Sequence, residues 1–257
     1  MEKRSNLFDL TGKVAIVTGG SRGLGLEMAK AFAEQGAHVV IASRKLEACE
    51  QVAQALARDF GVRALPVAFH AGKWDDAQRL IETAEEAFGR IDILVNNAGS
   101  SPRYSSLTAI DEALWAKVLD LNLRGPFRLS TLAAERMHKA GGGSIINISS
   151  AGALQPSEHE LPYAMAKSAL HTMAAGMSRL YEGKVRINTL VPGVFQTDIS
   201  KAWTDDMIQT MSGLVPMGRL GQPREIVGAA LYLASDAASY TTGAVLKVDG
   251  GWAYSRG

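Results

Sequence analysis

Val14-Ala-Ile-Val17 runs directly into Thr18-Gly-Gly-Ser-Arg-Gly-Leu-Gly25, and a helical pattern (Leu26, Met28, Ala29, Phe32, Ala33) follows at once. The first four residues are a short apolar run with β-branched members, bounded by Gly12 and Gly19. Such a run predicts a strand buried in a parallel sheet. Strand, glycine-rich turn and helix make either an ordinary β–α connection or a phosphate cradle. In the second case Gly19, Gly23 and Gly25 let the backbone turn tightly and approach a pyrophosphate at the positive end of the helix. The spacing is Gly-x-x-x-Gly-x-Gly, not the usual Gly-x-Gly-x-x-Gly fingerprint.

The same alternation continues outward from this unit. Further strands are expected at Val39–Ala42, about 63–69, Ile91–Val95, Ser144–Ile148, Val185–Val191 and Val245–Val248. Helices are expected at about 45–59, 75–88 and 223–235, as one long helix from about 111, and in the stretch that carries Tyr163 and Lys167. Polar clusters recur where strands end: Asn96-Asn-Ala-Gly99, Ser149-Ser150, Pro192-Gly193 and Asp249-Gly-Gly251. Repeated β–α units with this punctuation predict a Rossmann-type, doubly wound α/β fold with a mostly parallel sheet and helices on both faces. No repeat, linker or low-complexity segment divides the 257 residues, so one domain is expected.

Lys and Arg number 27 against 26 Asp and Glu, a net charge of +1, so nothing in the charge favours nucleic acid or an anionic membrane as partner. Hydrophobic residues at 47% and charged residues at 21% read as globular and soluble. Cys49 is the only cysteine, which excludes an internal disulfide and a cysteine-cluster metal site; no metal is expected. Its helical context suits a packing residue. The start lacks an apolar signal core and no run reaches membrane-spanning length, so a reducing, cytoplasmic setting is expected.

The chemistry concentrates in Tyr163-Ala-Met-Ala-Lys167 and Ser149-Ser150. A phenol and an ammonium four residues apart share a helix face. A free tyrosine titrates near pH ~10, and a lysine cation close by is expected to favour the phenolate. A serine hydroxyl alongside can hold a carbonyl or alcohol oxygen while tyrosine moves a proton. That equipment interconverts C=O and CH–OH but supplies no hydride.

Several other positions are open in the sequence. Ser43-Arg44-Lys45 follows the second strand where an acid would bind a ribose 2′-hydroxyl. Arg44, with Arg22 in the glycine loop, suits a 2′-phosphate, or else begins a solvated helix. His70 either touches an adenine edge or holds its own loop. Asn122 needs a partner in mid-helix. Residues 100–110 read as a rim loop. In 194–216, Trp203, Met207 and Met211 recur every four residues, as in a lid helix or an ordinary surface helix. Arg128 with Lys184 makes either a cationic patch for an acidic carrier protein or plain surface charge.

Taken in order, Thr18-Gly19…Gly23-Leu-Gly25, Asn96-Asn-Ala-Gly99, Asn122, Ser150, Tyr163…Lys167, Pro192-Gly193 and Asp249-Gly-Gly251 resemble the short-chain dehydrogenase/reductase family from about residue 8 to 252. The resemblance implies a nicotinamide dinucleotide lying across the strand ends, with a cofactor-binding half at about 8–150 and a catalytic and substrate-lid half at about 151–257. It implies cofactor contacts from Gly19, Ser21, Arg22, Gly23, Leu24 and Gly25, from Ser43 and Arg44, and from Asn96, Ala98 and Gly99. Pro192, Gly193 and Thr197 would meet the carboxamide end. Tyr163 would be the general acid/base, and Lys167 would lower its pKa and bind the nicotinamide ribose. Ser150 would position the substrate oxygen, leaving Ser149 structural, and Asn122 would hold a water leading toward Lys167. Ala166 stands where a serine is common in the family, and His70 where many relatives have an aspartate.

His70-Ala-Gly-Lys73 with Ser43-Arg44 looks like NADP-linked carbonyl reductases related to peroxisomal retinol/dicarbonyl reductases. Tyr254-Ser-Arg-Gly257 lacks the Ser-Lys-Leu type of ending, so that location is not expected here. The expectation is an NADP-dependent oxidoreductase acting on a small ketone or aldehyde and its alcohol, in a homotetramer by resemblance. The alternatives are a 3-oxoacyl reductase working on acyl carrier protein and a non-catalytic NADP-binding regulator.

Overall fold

The computed structural model describes residues 6–197 and 203–253. Seven strands form its sheet: β1 (Val14–Thr18), β2 (His38–Ser43), β3 (Ala64–Ala68), β4 (Ile93–Asn96), β5 (Gly143–Ile148), β6 (Val185–Pro192) and β7 (Val245–Val248). They lie in the order β3-β2-β1-β4-β5-β6-β7, and every pairing is parallel. The doubly wound expectation is met. The order reverses between β1 and β4, so their carboxyl ends flank a crevice of the kind in which ligands bind in open α/β sheets.

The helices are α1 (Gly23–Glu34), α2 (Leu46–Phe60), α3 (Trp74–Phe88), α4 (Glu112–Leu119), α5 (Gly125–Lys139), α6 (Leu161–Met177), α7 (Asp205–Gly213) and α8 (Val227–Ala234). Period-2 alternation on β1 sends Ala15 and Val17 to a core with Met28, Phe32, Ile226 and Leu233. Val14 and Ile16 enter the opposite core, with Leu80, Leu129, Met137 and Ala174. Both faces of the sheet are covered, which explains why the central strands read as continuous apolar runs. Gly61 and Gly89 end α2 and α3 in the left-handed conformation.

The expected long helix from about 111 is interrupted. Asp120–Arg124 forms a π-helical turn between α4 and α5. Gly125 then passes so close to the Ala71 carbonyl that a Cβ would overlap it. Asn122 sits inside this widened turn, fully buried, a distortion that concentrates at functional sites. No helix among the described residues is long and apolar enough to cross a membrane.

Candidate active site

The glycine turn is pinned from β4's side. Thr18 Oγ1 donates to Val95 O (3.1 Å) and accepts from the amides of Asn97 (2.9 Å) and Ala98 (3.1 Å). Asn97 Nδ2 donates to the carbonyls of Thr18 (2.9 Å) and Gly19 (3.3 Å). Gly19 has φ +65°, and a Cβ there would come within 2.8 Å of Asn97 Nδ2. Gly25 begins the close packing of α1 on the turn, since its Cβ would overlap Gly19 O. Gly23 (φ +57°) is open except for the Thr197 methyl at 4.0 Å, so the two lie together. Leu24 packs into the core beneath. Ser21 Oγ meets Ser43 Oγ at 3.0 Å, which ties the β1 and β2 loops together. Arg22 and Arg44 extend from these two loops, both exposed.

Other strand ends add to the same crevice. Gly193 N donates to Val248 O (3.0 Å), and a Cβ on Gly193 would lie 2.6 Å from Asp249 Cα. That close approach explains the Pro192-Gly193 and Asp249-Gly-Gly251 pair. Asn96 behaves differently from expectation. Its side chain is buried and donates to Ser130 Oγ and Asn147 Oδ1, both at 2.9 Å. The amide that grips the glycine turn belongs to Asn97, which sequence reasoning passed over. Strand alternation carries the signal, because neighbouring residues at a strand end face opposite sides.

Lys167, Asn122 and Gly99 converge. A Cβ on Gly99 would meet Asn122 Oδ1 at 2.8 Å and Lys167 Nζ at 3.3 Å. Lys167 is buried, and its Nζ donates to Ile148 O at 2.8 Å. The Asn122 amide accepts from Ser100 N (3.2 Å) and donates to Ser100 O and Val118 O (both 2.9 Å). Ser149 is buried and its Oγ bridges Lys167 O (3.1 Å) and His171 Nε2 (2.7 Å), which fits the structural role expected of it. Ser150 Oγ accepts from Gly152 N (3.1 Å) and also hydrogen bonds Tyr163.

The electrostatics correct one expectation. The Tyr163 pKa stands above its ordinary value here, not below it. Burial pushes the phenol up to about 12, the Ser150 hydrogen bond opposes the rise, and the Glu160 charge adds to it. Burial also lowers the Lys167 ammonium to about 8. Its Nζ lies 5.6 Å from the Tyr163 ring centre and is held by a carbonyl. Desolvation is the largest influence on both groups, and Tyr163 keeps its proton near neutrality.

The remaining open positions resolve. His70 Nδ1 accepts from Gly72 N (3.2 Å), and Asp76 holds the His70 amide (3.0 Å), so the ring organises its own loop. Cys49 is buried against Ser43. Arg128 stacks on Trp74 at 4.8 Å, early in α5, while Lys184 pairs with Glu182 (3.4 Å) just before β6, at the amino end of the sheet. These two do not form a common patch. Helix α7 forms across Met207 and Met211, with Thr204 as its cap and no buried residue. Residues 198–202 of the expected lid lie outside the described residues. Sequence reasoning also missed Tyr104. Its hydroxyl donates to Glu158 O (2.6 Å) and accepts from Leu161 N (2.8 Å), joining the rim loop to the start of α6.

Comparison with known proteins agrees with this geometry. A family profile described as Enoyl-(Acyl carrier protein) reductase matches residues 19–253. Dehydrogenase/reductase SDR family member 4 of Homo sapiens is 36% identical over 245 residues, covering 94% of this chain and 88% of that protein. The 3-oxoacyl-(acyl-carrier-protein) reductase FabG of Chlamydia trachomatis serovar D is 39% identical over 245 residues, covering 95% of this chain and 98% of that one. The crystal structure of L-sorbose reductase from Gluconobacter frateurii, complexed with NADPH and L-sorbose, aligns with a TM-score of 0.91 at 30% identity, over 97% of this chain and all (100%) of that one. Ordered motifs, parallel sheet and relatives agree, and the chain belongs to the short-chain dehydrogenase/reductase family of oxidoreductases.

Proposed function

We propose that this protein is an NADP(H)-dependent reductase of a ketone or aldehyde, reversible to the alcohol. The carrying observation is the grouping of Ser150, Tyr163, Lys167 and Asn122 beside a glycine turn with room for a phosphate. The fit to a dinucleotide rests on that turn. Gly23 is open where Gly19 and Gly25 are crowded, and the amino end of α1 carries no acidic residue in its first turn. Gly19, Ser21, Gly23 and Leu24 would hold the pyrophosphate, and Pro192, Gly193 and Thr197 the nicotinamide end. Ala98 and Gly99 would line the path between them. Asn96 would support this floor from beneath through Ser130 and Asn147. Ser43, Arg44 and Arg22 favour a 2′-phosphate, because both guanidinium groups are exposed and make no hydrogen bond or ion pair with described residues.

When bound there, a nicotinamide dinucleotide supplies hydride chemistry. The chain's own residues handle the oxygen. Ser150 holds the substrate oxygen through its hydroxyl. Tyr163, protonated near neutrality, donates its proton to that oxygen as the alcohol forms. Lys167 lies ready to stabilise the resulting phenolate, and Asn122 fixes the turn that borders it. The L-sorbose reductase complex with NADPH supports both the cofactor and the carbonyl class.

The test is NADPH consumption across sugars, steroids, diketones, quinones and acyl thioesters. Tyr163→Phe is expected to lower kcat by about 10²–10⁴-fold while NADPH still binds. Near wild-type turnover in that variant would remove Tyr163 from its role. Tight NADPH binding with no carbonyl reduced would favour the regulator reading. The chlamydial relative keeps a 3-oxoacyl thioester on the panel. The separation of Arg128 from Lys184 removes the carrier patch that reading would use. A small-molecule substrate in a cytoplasmic homotetramer completes the proposal.

A further inference from the structure

Glu160 stands three residues before Tyr163, at the mouth of α6. Its carboxylate is half-buried and makes no hydrogen bond or ion pair with any described residue. It lies against Gly152, where a Cβ would overlap Oε1. Gly152 in turn donates to Ser150 Oγ at 3.1 Å. Glu160 and Ser150 thus flank the same glycine, and the Glu160 charge is felt at the Tyr163 phenol, where it adds to the rise that burial causes. Burial raises the Glu160 carboxyl itself, with no compensating partner. The placement is held by neighbours: Tyr104 clamps Glu158 O and Leu161 N on either side, and Ser168 Oγ donates to Ala153 O at 2.7 Å.

A partly desolvated carboxylate close to the reacting groups keeps only part of its hydration, so a ligand that displaces the rest must donate to it or bear the cost. A ligand donor restores the missing bond, and a ligand anion adds repulsion in a poorly screened site. We propose that Glu160 determines substrate specificity: it accepts a hydrogen bond from a hydroxyl or protonated amine carried next to the substrate carbonyl, and it turns away carbonyl compounds bearing a carboxylate. The proposal rests on the reductase reading above and deepens it, naming carbonyl compounds with a neighbouring donor as the substrate class.

Four small ketones separate the possibilities: hydroxyacetone, its near-isostere butanone, aminoacetone and pyruvate. NADPH oxidation is followed for the wild-type protein, Glu160→Leu and Glu160→Gln, with NADPH fluorescence titration showing that each variant is folded. The wild-type protein is expected to favour hydroxyacetone or aminoacetone over butanone in kcat/KM. Glu160→Leu should reduce that ratio by about ten- to a hundredfold, the loss of one charge-assisted bond, and mainly through KM. Pyruvate should gain relative to butanone in both variants. Glu160→Gln should partly restore hydroxyacetone, since an amide oxygen still accepts, but should not restore aminoacetone if the donor is a cation. Should Glu160→Leu fail to fold, the glutamine variant carries the pyruvate and aminoacetone arms alone. The proposal is overturned if the ratios stay constant across the variants, if all substrates lose equally, or if the wild-type protein reduces butanone as well as hydroxyacetone and aminoacetone. A wild-type protein that reduces ketones of the wider panel but none with a neighbouring donor also overturns it. No turnover of any carbonyl removes the underlying reductase reading instead.

Discussion

The two ends of the sheet treat buried charge in opposite ways. At the amino end, Asp92 is buried and fully engaged. It accepts from Val14 N (2.9 Å) and from Arg90 Nε (2.9 Å) and Nη2 (2.5 Å), with Lys13 Nζ at 3.8 Å. Arg186, nearby, gives its guanidinium to Leu233 O (2.8 Å) and Ser235 O (3.1 Å). A cavity of about 370 Å³ opens among these residues. At the carboxyl end, Lys167 has one carbonyl, Tyr163 one serine and Glu160 nothing. A cavity alone does not mark where the chemistry lies. Incomplete satisfaction is the better guide, because a group that folding alone required would have its partners.

The comparison can be broken most severely at Asp92. If that carboxylate serves the fold, Asp92→Ala strands the buried Val14 amide and frees two half-exposed cations. The first effect dominates, since the cations stay hydrated. We expect a loss of about 2–3 kcal/mol of stability, read as a lower urea midpoint, with kcat and KM retained at temperatures where the variant is folded. A large fall in kcat without loss of stability would make the amino end functional after all.

Arg44 tests the carboxyl end more gently. Arg44→Asp removes a cation and adds repulsion where a 2′-phosphate is expected. NADPH affinity should fall about ten- to a hundredfold, and NADH affinity much less. Equal losses for both cofactors would show that Arg44 does not distinguish them. The expected difference should also shrink at high salt, because the arginine is exposed.

What was legible in the sequence follows the same division. The parallel sheet could be read because each strand is a short apolar run closed by a turn signal, both local properties. The tight turn at Gly19 and Gly25 and the nearness of Tyr163 to Lys167 could be read because both depend on short spacings. The π turn at Asp120–Arg124 could not, since it answers a contact between Gly125 and Ala71, distant in the chain. Tyr104 clamps a segment 54 residues away at Glu158, which no spacing announces. The direction of the Tyr163 shift was misread for a related reason. A nearby lysine is visible in sequence, but the desolvation that raises the pKa depends on how the folded chain encloses the phenol.

The smallest effect separates the two ends most cleanly, because it concerns the sign of a charge's contribution. Burial holds the folded-state pKa of Glu160 above its value in the unfolded chain, near ~4.3. The folded protein therefore binds that proton more tightly, and wild-type stability gains from this group as pH falls through the window. Above the folded pKa the charged carboxylate costs stability; below the unfolded pKa the cost is gone. Glu160→Gln carries no such charge. It should raise Tm at pH 7 by about 1–2 °C, consistent with a fraction of a kcal/mol in a chain of this size, and the difference should close toward pH 4. Asp92→Ala should instead lower Tm at pH 7, since there the charge is partnered. A Glu160→Gln variant that is less stable at pH 7 would mean the carboxylate already has a partner in the free protein. Glu160 would then resemble Asp92, and the contrast between the two ends would lose its most direct support.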